Sequence, residues 1–335
     1  MEQHKQQFEF HGKTGEFFKI WIVNLMLSIV TLGVYSAWAK VRTRKYFYSN
    51  TVLMNSSFDY LADPVKILKG RLFALVLIVI YSLSVVISPM LQAGIMVVFI
   101  PLFPWVIIKA LKFNLYNSAY RNIRFHFAAD YLKALWVFVG LPILVAISVG
   151  LAYPYFVRER KKFVLDHSAY GTRKFELSAS TKQFYTVYLK VFAVIVIILL
   201  LMTALYYIAQ TASIAEVILV PAILLSYPVL LVMYVYLYTA TTNLTLNHTM
   251  LHNFKFVSSL ETGTMCWLYL SNMLAIIFSL GLLIPWAMIR MAKYKISCLA
   301  LFTDNEVDVF LAAEAERADA IGEELGDILD IDIGL

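Results

Sequence analysis

The stretch Thr31-Leu32-Gly33-Val34-Tyr35-Ser36-Ala37-Trp38-Ala39-Lys40-Val41-Arg42-Thr43-Arg44-Lys45-Tyr46 matters most for the fold, because its skeleton occurs three times in the chain. A glycine is followed at fixed spacing by an aromatic, a lysine and a second aromatic. The three copies are Gly33/Trp38/Lys45/Tyr46, Gly150/Tyr155/Lys162/Phe163 and Gly281/Trp286/Lys293/Tyr294. Upstream, Phe-x-Phe recurs as Phe8/Phe10, Phe125/Phe127 and Phe254/Phe256; downstream, Phe58-Asp59-Tyr60 corresponds to Phe175-Glu176-Leu177. The first two copies are offset by 117 residues throughout, from Gly33 to Gly150 and from Lys45 to Lys162. Agreement at so many positions identifies an internal repeat, which governs every later reading of the chain.

Each glycine lies near the end of an apolar run. Seven such runs, 17–39, 72–91, 93–111, 134–157, 187–209, 214–238 and 264–289, come close to the ~20 apolar residues a spanning helix needs. Runs two and three, and runs five and six, are joined by short links with almost no charge, so each pair reads as a helical hairpin. With A for the glycine–aromatic–basic element and B for the apolar hairpin, the order is A-B-A-B-A. The expected fold class is therefore an all-α polytopic membrane protein. Residues 1–16 form a polar N-terminal segment, 17–303 a membrane domain and 304–335 a tail. Between the runs, Tyr46–Tyr60, Asn114–Phe127, Phe163–Leu177 and Thr241–Phe256 alternate aromatic and polar residues around turn signals. They read as short surface β-hairpins able to associate into a small sheet, or as polar loops.

Composition supports a bilayer setting. Of the 335 residues 61% are hydrophobic and 15% charged, against about 45–50% and 25% in soluble domains. The net charge of +6 conceals a split, since residues 304–335 hold 11 acidic groups against Arg317 and the remainder carries +16. A basic membrane body with an acidic tail follows, and the positive charge reads as interfacial topology rather than as a nucleic-acid surface. Two orientations of the A elements stay open. Simple crossings make the two A-B units an inverted repeat; breaks near Gly33, Gly150 and Gly281 make each A element enter and leave on one face. The presence of Lys and Arg in every long connector is at odds with a strict inverted repeat.

Beginning at Gly12-x-x-Gly15-Glu16, continuing through the Thr31–Tyr46 stretch and on to Asn50-Thr51 and Phe58, the chain resembles the YjgN-like family of bacterial inner-membrane proteins carrying a domain of unknown function. The resemblance covers residues 8–303. It implies a multi-pass protein of the bacterial inner (plasma) membrane and supplies no activity, ligand or catalytic residue.

The candidate site residues are the cations beyond each repeat aromatic: Arg42, Lys45, Arg158, Arg160, Lys162, Arg290 and Lys293. Lys and Arg beside a membrane helix attract anionic lipid at about 1 kcal/mol per charge, so these groups read as contacts for an anionic head group or solute, or as plain interfacial anchors. Trp38, Tyr155 and Trp286 read as an aromatic belt, and Gly33, Gly150 and Gly281 as the repeat's turning points. Asn24, deep in its run, reads as an inter-helix hydrogen-bonding group. His248 and His252 have the spacing of one helical turn but no third ligand nearby. No catalytic, cofactor or metal set is expected, nor a nucleic-acid partner. The functional expectation is transport or permeation of a small or amphiphilic solute, with an anionic-lipid-binding scaffold as the alternative. The tail is expected to dock on the protein's own basic connectors.

Overall fold

The structure, a computed structural model, describes residues 4–211 and 215–303. The acidic tail of the sequence reading lies outside them. Helices α1 (Thr14–Val30) and α2 (Ser36–Ser49) form the first A element; α3 (Pro64–Ile87) and α4 (Pro89–Tyr116) form the first B element. The second A element runs through α5 (Tyr131–Leu135), a π-helical turn (Trp136–Gly140), α6 (Leu141–Ile147) and α7 (Tyr153–Asp166). The second B element is α8 (Thr181–Thr211) with α9 (Ala215–Asn247), and the last A element is α10 (Thr262–Phe278) with α11 (Ile284–Ser297).

The all-α expectation is overturned by an antiparallel sheet of 11 strands. They are β1 (His4–Gln7), β2 (Glu9–Phe10), β3 (Thr51–Leu53), β4 (Ser56–Tyr60), β5 (Ser118–Tyr120), β6 (Ile123–Phe127), β7 (Ser168–Tyr170), β8 (Arg173–Leu177), β9 (Thr249–Leu251), β10 (Phe254–Ser258) and β11 (Leu299–Thr303). The order begins at β1, passes to β11 and descends to β2. Because β1 and β2 are separated by Phe8 alone, the sheet returns on itself as a cylinder, an up-and-down arrangement that leaves no long open edge. Single connectors give strands of two to five residues, too short for a stable isolated hairpin. Joining all of them is what makes the strands stable. The polar N-terminal segment and the residues after Ser297 supply the strands that close the ring.

Successive strands are joined alternately by tight turns and helical hairpins, so all five hairpins rise from one rim. The backbone closes each of them in the same way. N–H of His11 donates to C=O of Asn50 (2.9 Å), Leu61 to Asn117 (2.8 Å), Ala128 to His167 (3.0 Å), Ser178 to His248 (2.9 Å) and Ser259 to Cys298 (3.0 Å). Every donor lies three residues after a phenylalanine: Phe8, Phe58, Phe125, Phe175 or Phe256. A-B-A-B-A is therefore one strand–hairpin–strand module used five times. It accounts for the basic character of every long connector, since all of them sit at one level.

The five phenylalanines belong to one apolar cluster that takes residues from each of β3 to β11, including Leu53, Tyr120, Tyr170, Leu251 and Leu301. Phe8 stacks on Phe58 with centroids 6.2 Å apart, Phe125 on Phe175 at 6.3 Å, and Phe175 meets Phe256 at 6.0 Å. Tyr120 and Tyr170 fill the gap between Phe58 and Phe125, at 4.6 Å from Phe58 and 5.0 Å from Phe125 respectively. The cylinder's interior is thus an aromatic core. Above the helix-bearing rim, each helix packs on its neighbours in sequence and α11 closes on α1. Among the described residues four helices, α3, α4, α8 and the Leu224–Asn247 part of α9, are long and apolar enough to cross a membrane.

Candidate functional site

The candidate cations lie on α2, α7 and α11, the returning arms of the three A hairpins, between the turn glycine and the strand rim. Their helices share a design. Each outgoing arm ends in a turn whose penultimate residue and glycine both have positive φ: Leu32/Gly33 (49° and 91°), Val149/Gly150 (50° and 87°) and Leu280/Gly281 (50° and 91°). Glycine is the residue that accepts such angles without a steric penalty. Two residues before each glycine stands a hydroxyl. Thr31 Oγ1 accepts from N–H of Tyr35 at 2.9 Å, Ser148 Oγ from Ala152 at 3.0 Å and Ser279 Oγ from Leu283 at 3.0 Å. The hydroxyl is a further position of the repeat, at the same spacing from the glycine in all three copies.

In the first copy Arg42 and Lys45 are exposed, and Arg42 Nη1 donates to Tyr35 Oη at 2.9 Å. In the second, Arg158 Nε donates to Ala179 C=O at 3.3 Å and its guanidinium pairs with Glu159. Arg160 lies over the Phe156 ring at 5.5 Å, and Lys162 is half-buried. In the third, Arg290 sits 5.1 Å above the Trp286 ring and donates to Ser271 Oγ (2.6 Å) and Asn272 Oδ1 (3.2 Å). Two of the seven cations, Arg290 and Lys293, line a shared groove. It measures about 670 Å³ and lies open between α10, α11 and the N-terminal strand, lined also by Trp267, Tyr294, Gln7 and the Glu9–His11 pair (3.2 Å). Trp38, Tyr155 and Trp286 stand half-buried beside their basic residues.

Sequence reasoning missed Trp267 and the residues that β1 and β2 bring to this groove, since it assigned no strand to residues 4–10. It also missed a second basic cluster, in which Arg44 Nη1 donates to Tyr60 Oη at 2.9 Å and Asn114 Oδ1 at 2.5 Å, and Arg71 bonds Ser36 Oγ. Burial first, then Arg44 and Arg71, push the Lys40 amine below its ordinary range. Asn24 makes a long contact to Ala39 C=O, 3.5 Å across its own hairpin. The two histidines do not share a helical turn: His248 follows the end of α9, β9 intervenes, and His252 sits in a tight turn with φ 55°.

The family described as bacterial protein of unknown function (DUF898) matches residues 5–328, a range that continues past Thr303 into the acidic tail. The inner membrane protein YjgN of Salmonella typhimurium is 32% identical over 154 residues, 44% of this chain and 38% of that protein. Its namesake in Escherichia coli K12 is 26% identical over 159 residues, 46% of this chain and 39% of that protein. The matched stretch thus spans under two-fifths of either relative's length. No solved structure matches the chain.

Proposed function

The chain belongs to the DUF898 family, a multi-pass protein of the bacterial inner membrane, and we propose that it binds anionic amphiphiles drawn from the leaflet beside its strand cylinder. The observation that carries this reading is the groove at the cylinder's seam. There Arg290 and Lys293 stand at the roots of apolar helices, the hydrogen bonds of Arg290 run to the neutral oxygens of Ser271 and Asn272, and Trp267 and Tyr294 offer an apolar wall. A phosphate or carboxylate head group fits two cations, and an acyl chain fits the helices above them. The Glu9 carboxylate in the same groove, paired with His11, narrows the choice toward ligands that donate hydrogen bonds as well as carry negative charge.

Movement of a solute along the cylinder axis is less well supported, because Phe8, Phe58, Phe125, Phe175 and Phe256 with their tyrosine neighbours occupy that path. Native mass spectrometry of the full chain, exchanged into vesicles of phosphatidylcholine with and without phosphatidylglycerol, tests the binding reading. Retention of phosphatidylglycerol in preference to phosphatidylcholine after mild delipidation is expected; equal retention of both counts against it. Inorganic phosphate, included as a competitor, distinguishes a site for the lipid from a site for the free anion.

A further inference from the structure

We infer that the three A hairpins are half-depth wedges: their turns end inside the hydrocarbon, and their partner there is the acyl chains of the leaflet nearest the strand cylinder. The first ground is the backbone of the turns. Non-helical backbone survives in hydrocarbon only if its polar groups are paired within the protein. At residues 31–36 every N–H is paired: Thr31 to Leu27 C=O, Leu32 to Ile29, Gly33 to Ser28, Val34 to Thr31, Tyr35 to Thr31 Oγ1 and Ser36 to Gly33. The six donors at 148–153 and the six at 279–284 are paired in the same pattern, with Ser148 Oγ and Ser279 Oγ in the place of Thr31 Oγ1. Turns that faced water would need no such closure.

The second ground is what the turns present. Leu32, Val149 and Leu280 are 95%, 91% and 94% exposed, flanked by Val30 at 78%, Ile147 at 75% and Phe278 at 83%. Three tips that each expose large apolar side chains, with their turn hydroxyls already paired to backbone, are costly in water and favourable among acyl chains.

Depth follows from the charges. On the returning arms, the first cation comes seven residues after Gly33 (Lys40), eight after Gly150 (Arg158) and nine after Gly281 (Arg290). At 1.5 Å per residue the tips reach only about 10–14 Å past the basic level, roughly half of a ~30 Å hydrocarbon core. Outgoing arms permit more, Lys19 lying 14 residues before Gly33, but the returning arm sets the limit. The B hairpins differ. The uncharged run is 16 residues from Arg71 to Ile87, 20 from Pro89 to Lys109 and 21 from Lys190 to Thr211, or about 24–32 Å. They have the reach to cross. Because Lys and Arg accumulate on the cytoplasmic side, the wedges and the cylinder belong to the cytoplasmic leaflet and face. None of this depends on the identity of the groove's ligand.

Nitroxide labels test the inference in the full chain reconstituted in phosphatidylcholine–phosphatidylglycerol vesicles. With Cys266→Ala and Cys298→Ala as background, single cysteines replace Leu32, Val149 or Leu280 at the A tips, Met90 at a B tip and Ser57 on the cylinder. The three A-tip labels should collide with oxygen several-fold more than with a water-soluble nickel chelate, and should report depths about 10–15 Å below the phosphates. M90C should react with a membrane-impermeant maleimide from the face opposite S57C. An A-tip label as accessible to the chelate as the S57C label, or reactive from the M90C face, overturns the inference. If one tip variant fails to fold, the other two carry the test, since all three must report the same depth.

Discussion

Arg290 Nη1 donates to Asn272 Oδ1 at 3.2 Å across the last helical hairpin. The same two places in the first hairpin are filled by Arg42 and Asn24, each nine residues from the turn glycine. There the guanidinium has turned to Tyr35, and the buried Asn24 Oδ1 has no hydrogen-bond partner. In the second hairpin the asparagine position is Leu141, which is 1% exposed. Three solutions to one buried position allow a comparison within a single molecule.

Asn272→Leu removes the acceptor and leaves a half-buried guanidinium short of a partner, so it should destabilise the protein by about 1–3 kcal/mol. Asn24→Leu gives up only the 3.5 Å contact to Ala39 and relieves an unpaired acceptor. It should leave stability unchanged or raise it slightly. Unfolding temperatures in detergent for the two variants check the contrast, and equal losses would contradict it.

Gly33→Ala, Gly150→Ala and Gly281→Ala place a Cβ at φ values of 91°, 87° and 91°. Nothing lies within 4 Å of that Cβ at Gly33 or Gly150, and Ile284 Cδ1 is 3.6 Å away at Gly281. The cost is then conformational, about 1–2 kcal/mol each, and similar in the three copies. A much larger loss at one position in thermal unfolding would mean that the glycine there makes room for something.

Lys161 is the residue to follow with pH. Burial, and secondarily Arg160, push its amine from the ordinary 10.5 down to about 8. Its Nζ donates to Thr241 C=O at 3.3 Å. Between about pH 8 and 10.5 the unfolded chain holds a proton that the folded chain has lost, so Lys161 makes stability rise with pH across that window. Below pH 8 its full penalty is present. Lys161→Met should therefore raise the unfolding temperature at pH 7, and the gain over wild type should shrink toward pH 10. Thr241 C=O keeps a donor in the variant, because Thr245 Oγ1 bonds it at 2.6 Å. A gain independent of pH would assign the effect to packing instead.

Much of this architecture could be read from the repeat. Gly33, Gly150 and Gly281 mark the turns, and the connectors' aromatic–polar alternation marks β4, β6, β8 and β10. The closed sheet was not legible, because β1 and β2 comprise four and two residues around Phe8. Strands so short have no periodicity to detect, and the pairing of β1 with β11 joins the two ends of the described chain. The fivefold module was obscured by unequal hairpin lengths. Phe8 to Phe58 and Phe125 to Phe175 are each 50 residues apart, but Phe58 to Phe125 is 67 and Phe175 to Phe256 is 81. The site was half legible: spacing gave Arg290 and Lys293, whereas Trp267 meets them across the last helical hairpin and Glu9 only through the closure of the ring.

Retention of phosphatidylglycerol by two matched variants in native mass spectrometry separates a lipid site at the seam from general interfacial anchoring. One variant combines Arg290→Gln and Lys293→Gln in the groove; the other combines Lys45→Gln and Lys162→Gln on the other two A hairpins. Each loses two positive charges, so general attraction to an anionic surface falls equally, at about 1 kcal/mol per charge. With a lipid site at the seam, the groove variant loses the retained lipid while the other keeps most of it. Equal loss in both would contradict a site at the seam and leave the cations as interfacial anchors.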